Sequence, residues 1–148
     1  MTPKRKNIIP DVISDQSLVR LDGNASVRDA AILMDQCGVS SVLVIDGKDR
    51  LRGIFTVRDV ARRVVGGDLD PRKTRISEVM TENPQCIAPD MAPQSALRLM
   101  QEKGFRHLPV TEDGTTAGRV LGVVSRRNFF PEEETLLKME EHLWETMR

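Results

Sequence analysis

Val27-Arg28-Asp29-Ala30-Ala31-Ile32-Leu33-Met34 returns 66 residues later as Pro93-Gln94-Ser95-Ala96-Leu97-Arg98-Leu99-Met100, and this echo decides the fold. Repetition at a fixed shift marks an architecture built from copies of one supersecondary unit. The same shift superposes Gly38 on Gly104 and Val42-Leu43-Val44 on Leu108-Pro109-Val110. A loop then lengthens by three residues in the second copy, so Gly53-Ile54-Phe55-Thr56 meets Gly122-Val123-Val124-Ser125. Upstream, Asp11-Val12-Ile13-Ser14 matches Glu78-Val79-Met80-Thr81. Several segments agree in order, so one unit is used twice.

Each unit reads the same way. Val27, Ala30, Ala31, Met34 and Cys37 recur at helical spacing, and Ser26 with Asp29 is placed as a capping box. Pro93 suits the first turn of the matching helix, and Gly38 and Gly104 suit the left-handed residue past a helix end. Val42 to Ile45 and Leu51 to Phe55 read as hairpin strands about Asp46-Gly47-Lys48-Asp49, a role taken in copy two by the longer Glu112-Asp113-Gly114-Thr115 stretch. A second helix is predicted from Val57 to about Val65, and another after Arg126. The unit is therefore strand, helix, strand, strand, helix, a mixed α+β (α/β) fold. Boundaries fall at 8–67 for the first unit and 77–130 for the second, with a linker over 68–76 and a terminal helix over 131–148.

Composition narrows the function. Of 148 residues, 22 are Lys or Arg and 22 Asp or Glu, so the net charge is zero, unlike a nonspecific nucleic-acid binder. Four Phe, one Trp and no Tyr also leave few rings for stacking bases. No apolar run reaches the ~18 residues of a membrane span, and none follows Met1-Thr2-Pro3-Lys4-Arg5-Lys6 as a signal peptide requires. Cys37 and Cys86 form neither a CxxC nor a Cys/His cluster, so no disulfide framework or metal site is expected. A cytoplasmic location is the resulting expectation. The zero is nonetheless uneven: six acids, Glu132, Glu133, Glu134, Glu140, Glu141 and Glu145, face two bases, Lys138 and Arg148, after Pro131. The terminal segment therefore carries −4 and the remainder +4.

The motif Gly53-Ile54-Phe55-Thr56-Val57-Arg58-Asp59, echoed by Gly122-Val123-Val124-Ser125-Arg126-Arg127-Asn128, has two readings. In one, Thr56 is an N-cap and Asp59 its capping-box partner, which satisfies helix N–H groups. In the other, the same helix terminus offers donors to a phosphate, and the carboxylate accepts from ribose hydroxyls. Duplication of the motif with its glycine, and arginines within both copies, favour the nucleotide reading. Asn128 is the poorer ribose acceptor of the two.

With this motif, the duplicated unit resembles a cystathionine-β-synthase (CBS) domain pair, or Bateman module. Arg106-His107-Leu108-Pro109-Val110 and Glu78-Val79-Met80-Thr81 add to the likeness, which spans about residues 8 to 130. The resemblance implies a pseudo-two-fold pair of units with a regulatory, non-catalytic role. It implies that AMP, ADP, ATP or S-adenosylmethionine binds in clefts between the repeats, and that the chain forms a homodimer. Thr56, Arg58 and Asp59 would then hold phosphate and ribose, with Ser125, Arg126 and Asn128 in the second cleft. Val39 and Ser40 of one copy, and Phe105, Arg106 and His107 of the other, would complete the pockets. The pattern departs from the family's at Leu43, opposite Pro109, and at Asn128, so the Thr56/Asp59 cleft ranks first. For Arg106 and His107 a solvated strand edge is the competing reading, and for Arg58, Arg62, Arg63, Arg126 and Arg127 a solvated helix face.

No nucleophile–base pair, phosphate-binding glycine loop or metal-ligand pair is evident, so no enzyme is expected. Two other readings remain open: a structural dimerisation module with empty clefts, and a nucleotide hydrolase or transferase using Asp59 as base. In the terminal helix, Leu136, Met139, Leu143, Trp144 and Met147 form an apolar stripe. It either packs on its own domain or lines a dimer interface with Trp144 as anchor. Without an effector domain of its own, a regulatory module would signal to a separate protein.

Overall fold

Each copy builds its first helix between a defined start and a glycine. In the computed structural model, which describes residues 6–147 and the side chains outside 131–138, Ser26 Oγ accepts from the Asp29 N–H at 3.0 Å. This opens α1 (Val27–Cys37), which ends at Gly38 with φ 64°. In copy two, α4 (Pro93–Lys103) starts on Pro93 and ends at Gly104 with φ 72°. The side chain of Leu136, Met1–Arg5 of the opening segment, and Arg148 lie outside the described residues.

The hairpins follow. In copy one, β2 (Ser41–Ile45) runs antiparallel to β3 (Leu51–Thr56), and β1 (Arg20–Asp22) lies parallel on the other side of β2. In copy two, β5 (His107–Thr111) pairs with β6 (Val120–Ser125), and the opening strand shrinks to one parallel bridge, Ile87 to Val110. After β3, α2 covers Val57–Asp59 and widens into a π-type stretch, Val60–Val65. The expected helix after Arg126 is a single 3-10 turn, Arg126–Phe129. Pro131 explains the stop: the residue before a proline is pushed out of the helical region, and Phe130 sits at φ −129°, ψ 61°. The chain then restarts as α5 (Pro131–Thr146).

Packing does not follow chain order. The core of copy one, Val27, Met34, Val42, Val44, Phe55 and Val64, is completed by Ile76 and Val79 of the short helix α3 (Ile76–Val79). The core of copy two, with Ala96, Met100, Leu108, Val110 and Val124, is completed by Ile8 and Ile13 from the opening segment of the first unit. Each unit thus borrows the segment that opens the other. Burial of one such isoleucine contributes about 1.5–3 kcal/mol, which ties the two units together. Between them lies a third cluster, Leu43, Leu51 and Cys86, packed on Leu18, Val120 and Val123. Burial there raises the Cys86 thiol to about 11.

These crossing segments account for both motif glycines. A Cβ on Gly53 would sit 2.5 Å from Met80 Sδ and 2.7 Å from the Thr81 carbonyl, where β4 (Thr81–Glu82) pairs with β3. On Gly122 it would meet Gln16 Oε1 and Ile13 Cδ1, both at 2.9 Å. Gln16 takes the place of a strand here, donating to the Val123 carbonyl and accepting from its N–H, each at 2.9 Å. The retained glycines therefore have a packing cause, whatever the clefts bind. No helix among the described residues is long and apolar enough to cross a membrane.

Candidate functional site

The strand-to-helix motifs fold as reciprocal caps. Asp59 Oδ2 accepts from the Thr56 N–H at 2.9 Å and from Thr56 Oγ1 at 3.2 Å, while Thr56 Oγ1 accepts from the Asp59 N–H at 3.3 Å. Asp59 is buried, and its second oxygen, Oδ1, faces Arg63 Nε at 3.6 Å. In copy two, Asn128 Oδ1 accepts from the Ser125 N–H at 2.7 Å and from Ser125 Oγ at 2.9 Å. Asparagine thus preserves the cap. Its remaining polar group is an amide donor, however, and cannot accept from a sugar hydroxyl as Asp59 Oδ1 can.

The two motifs face each other across the repeats through matched contacts. Arg58 Nη1 donates to the Gly104 carbonyl at 3.3 Å, and Arg127 Nη2 donates to the Gly38 carbonyl at 3.2 Å. Each guanidinium therefore binds the carbonyl end of the other unit's first helix, where the dipole favours a cation. Within each repeat the hairpin end is closed alike, by Val57 N–H to the Ser40 carbonyl in the first and Arg126 N–H to the Arg106 carbonyl in the second.

This arrangement leaves two unequal clefts. The larger, about 800 Å³, has Thr56, Arg58 and Asp59 on one wall and Phe105, Arg106 and His107 on the other, with Ser40 between them. Arg62, Arg63 and Lys103 add positive charge to it. The smaller, about 160 Å³, takes Val39, Ser125 and Asn128, together with Gln16, Ser17 and Arg127. Ligand sites usually enclose about 300–1,000 Å³, so only the larger is of nucleotide size. Ser40 and His107 line both clefts, joined by a 2.8 Å hydrogen bond between Oγ and Nε2. Burial, with the Arg127 and Arg106 charges behind it, lowers the His107 pKa to about 4, so its ring is neutral at neutral pH.

Arg126 is the one candidate residue that lines neither cleft; its guanidinium lies 6.0 Å from the Phe130 ring centroid. The arginine of the small cleft is Arg127, which sequence reasoning did not place there. Its signal was present, because in the register that sets Thr56 on Ser125 it is Arg127, not Arg126, that falls on Arg58. Gln16, Ser17 and Lys103 carried no comparable signal, since their approach depends on the crossed packing. Among the described residues no group of His, Cys, Asp or Glu is arranged to hold a metal ion.

A family profile described as "CBS domain" matches twice, over residues 10–66 and 76–132. The chain belongs to the CBS domain family. It is similar to the meiotically up-regulated gene 70 protein of Schizosaccharomyces pombe, 36% identical over 132 residues that make 83% of this chain and 18% of that protein. The chain spans about a fifth of the length of the first curated relatives it matches. Among solved structures, a CBS-domain protein from Burkholderia ambifaria MC40-6 is 30% identical with a TM-score of 0.75, covering 83% of this chain and 90% of that one. The CBS domain pair of protein MJ0100, solved with 5-methylthioadenosine and S-adenosyl-L-methionine, shares the fold at 23% identity and a TM-score of 0.71, over 82% of this chain and 95% of its own.

Proposed function

We propose that this chain is a non-catalytic regulatory module that reversibly binds an adenine nucleotide, AMP, ADP or ATP, between units 8–67 and 77–130. The observation that carries this reading is the larger cleft. It joins a helix N-terminus and a buried carboxylate from one unit to an aromatic ring and cations from the other. In this reading Asp59 Oδ1 accepts from the ribose hydroxyls, exchanging its long contact with Arg63 for them. Phe105, about one-third exposed, offers a face to the base. Arg58, Arg62, Arg106 and Lys103 surround the phosphates. That excess of cations favours a phosphate-bearing ligand over S-adenosylmethionine, whose sulfonium is itself positive.

Binding between the units would favour the arrangement it fits best, and only to the extent that its affinity differs between arrangements. The signal then passes, in this reading, from a cytoplasmic homodimer to a separate effector protein. Calorimetry with AMP, ATP and S-adenosylmethionine tests the ligand. Heat with the phosphate-bearing ligands, and weaker or no heat with S-adenosylmethionine, is expected; no heat with any of the three overturns the proposal. A dimerisation module with unused clefts is the second reading, favoured by the fact that both capping boxes are complete without a ligand.

A further inference from the structure

The larger cleft is one-sided in charge. Arg58, Arg62, Arg63, Lys103 and Arg106 line it, and among the described residues Asp59 is the single carboxylate on its walls. That carboxylate is answered from within. Its Oδ1 faces Arg63 Nε at 3.6 Å, and its Oδ2 is held by the Thr56 cap. Arg63 is occupied in turn, because its Nη1 donates to the Met80 and Val79 carbonyls at 2.8 and 3.2 Å. The other four cations have no carboxylate partner among the described residues. Arg58 donates to a backbone carbonyl, that of Gly104, which leaves its charge without a counter-charge. Four positive charges thus converge on one cavity of about 800 Å³.

Free ATP brings about four negative charges near neutral pH, and its magnesium complex only about two. Sites built for a magnesium–nucleotide complex hold the ion through one or two carboxylates besides the phosphates, because the ion keeps much of its water shell. Here the one carboxylate is engaged, and cations stand around the phosphates instead. A magnesium ion brought among them would halve the attraction and add repulsion. We infer that this cleft takes ATP as the metal-free tetra-anion and discriminates against the magnesium complex. This rests on the nucleotide reading above and names the ionic form of its ligand. AMP, which holds magnesium weakly, carries no such penalty. Free magnesium therefore sets which adenylate fills the cleft: as it rises, ATP is withdrawn into its complex and AMP remains. The module responds to magnesium without a magnesium site of its own.

Calorimetric titrations of ATP and of AMP into the intact chain, each in EDTA and in excess magnesium chloride at matched ionic strength, test this. The expected result is ATP binding at least about tenfold weaker in magnesium, with AMP affinity the same in both. ATP that binds equally well or better in magnesium, or that fails to bind in EDTA where AMP binds, would overturn the metal-free preference and leave the nucleotide reading standing. AMP weakened in parallel with ATP would assign the effect to magnesium acting on the protein, and overturn the preference likewise. No heat with either nucleotide in either buffer would overturn both. Lys103→Glu and Arg62→Glu each set a carboxylate among the cations, and should narrow the magnesium effect to about threefold or less. An effect unchanged in both variants would overturn the role of the cations.

Discussion

Ser40 Oγ and His107 Nε2 lie 2.8 Å apart, one from each repeat, and this pair forms the wall shared by the two clefts. A change in either cleft that moves His107 is therefore felt in the other. The neutral ring that this wall requires is maintained by burial and by the two arginines, which oppose its protonation.

Acid should weaken the fold through this ring. The folded pKa, about 4, lies below the unfolded value near 6.5, so the unfolded chain binds the extra proton between them. The contribution of His107 is complete above pH ~6.5 and is lost as pH falls toward 4, to a limit of about 3 kcal/mol. Urea titrations at pH 7.5, 5.5 and 4.5 are expected to show this slope, and His107→Gln is expected to flatten it. An unchanged slope in the variant would assign the acid sensitivity elsewhere.

Ser40→Ala removes the hydrogen-bond partner of a largely buried imidazole. A loss of about 1–2 kcal/mol is expected in equilibrium unfolding, more than a surface serine normally contributes.

Arg58→Ala and Arg127→Ala should behave as a matched pair, because each removes a bond to the carbonyl end of the other repeat's helix. Each is expected to cost about 0.5–1 kcal/mol at low salt. Arg126→Ala, which removes a guanidinium 6.0 Å from the Phe130 ring centroid, should cost less. Parallel denaturation curves of the three variants check the ranking.

The motif glycines should differ. Gly53→Ala presses on the Thr81 backbone carbonyl and is expected to cost about 1–3 kcal/mol. Gly122→Ala meets only the ends of the Gln16 and Ile13 side chains, which can turn aside, so its cost should be smaller. Thermal melts of both variants decide this.

Much of this architecture is legible in the sequence. The helix spacing from Val27, the stops at Gly38 and Gly104, and the strands on either side of Asp46-Gly47 are local patterns, and local patterns survive in sequence. The Thr56–Asp59 and Ser125–Asn128 caps were legible for the same reason. What stayed hidden is long-range. Nothing near Ile8 shows that it joins the core of Leu108 and Met100, or that Gln16 stands in for a strand beside Val123. The difference in volume between the clefts was hidden too, because it depends on how the units meet. Two adjacent arginines follow Ser125, and the register of the two motif copies sets Arg127, not Arg126, on Arg58. The helix after Arg126 is only a turn because Pro131 acts on the residue before it.

In the proposed function the cleft of Thr56 and Asp59 holds a nucleotide, while the smaller one does not. Calorimetric titration of ATP into wild type, Asp59→Asn and Asn128→Ala tests it most directly. Asp59→Asn keeps the capping acceptor that Asn128 demonstrates in copy two but removes the free carboxylate oxygen. The expected result is one site per chain in wild type, the same site in Asn128→Ala, and at least about tenfold weaker binding in Asp59→Asn. Two equal sites, or binding that survives Asp59→Asn and fails in Asn128→Ala, would contradict it.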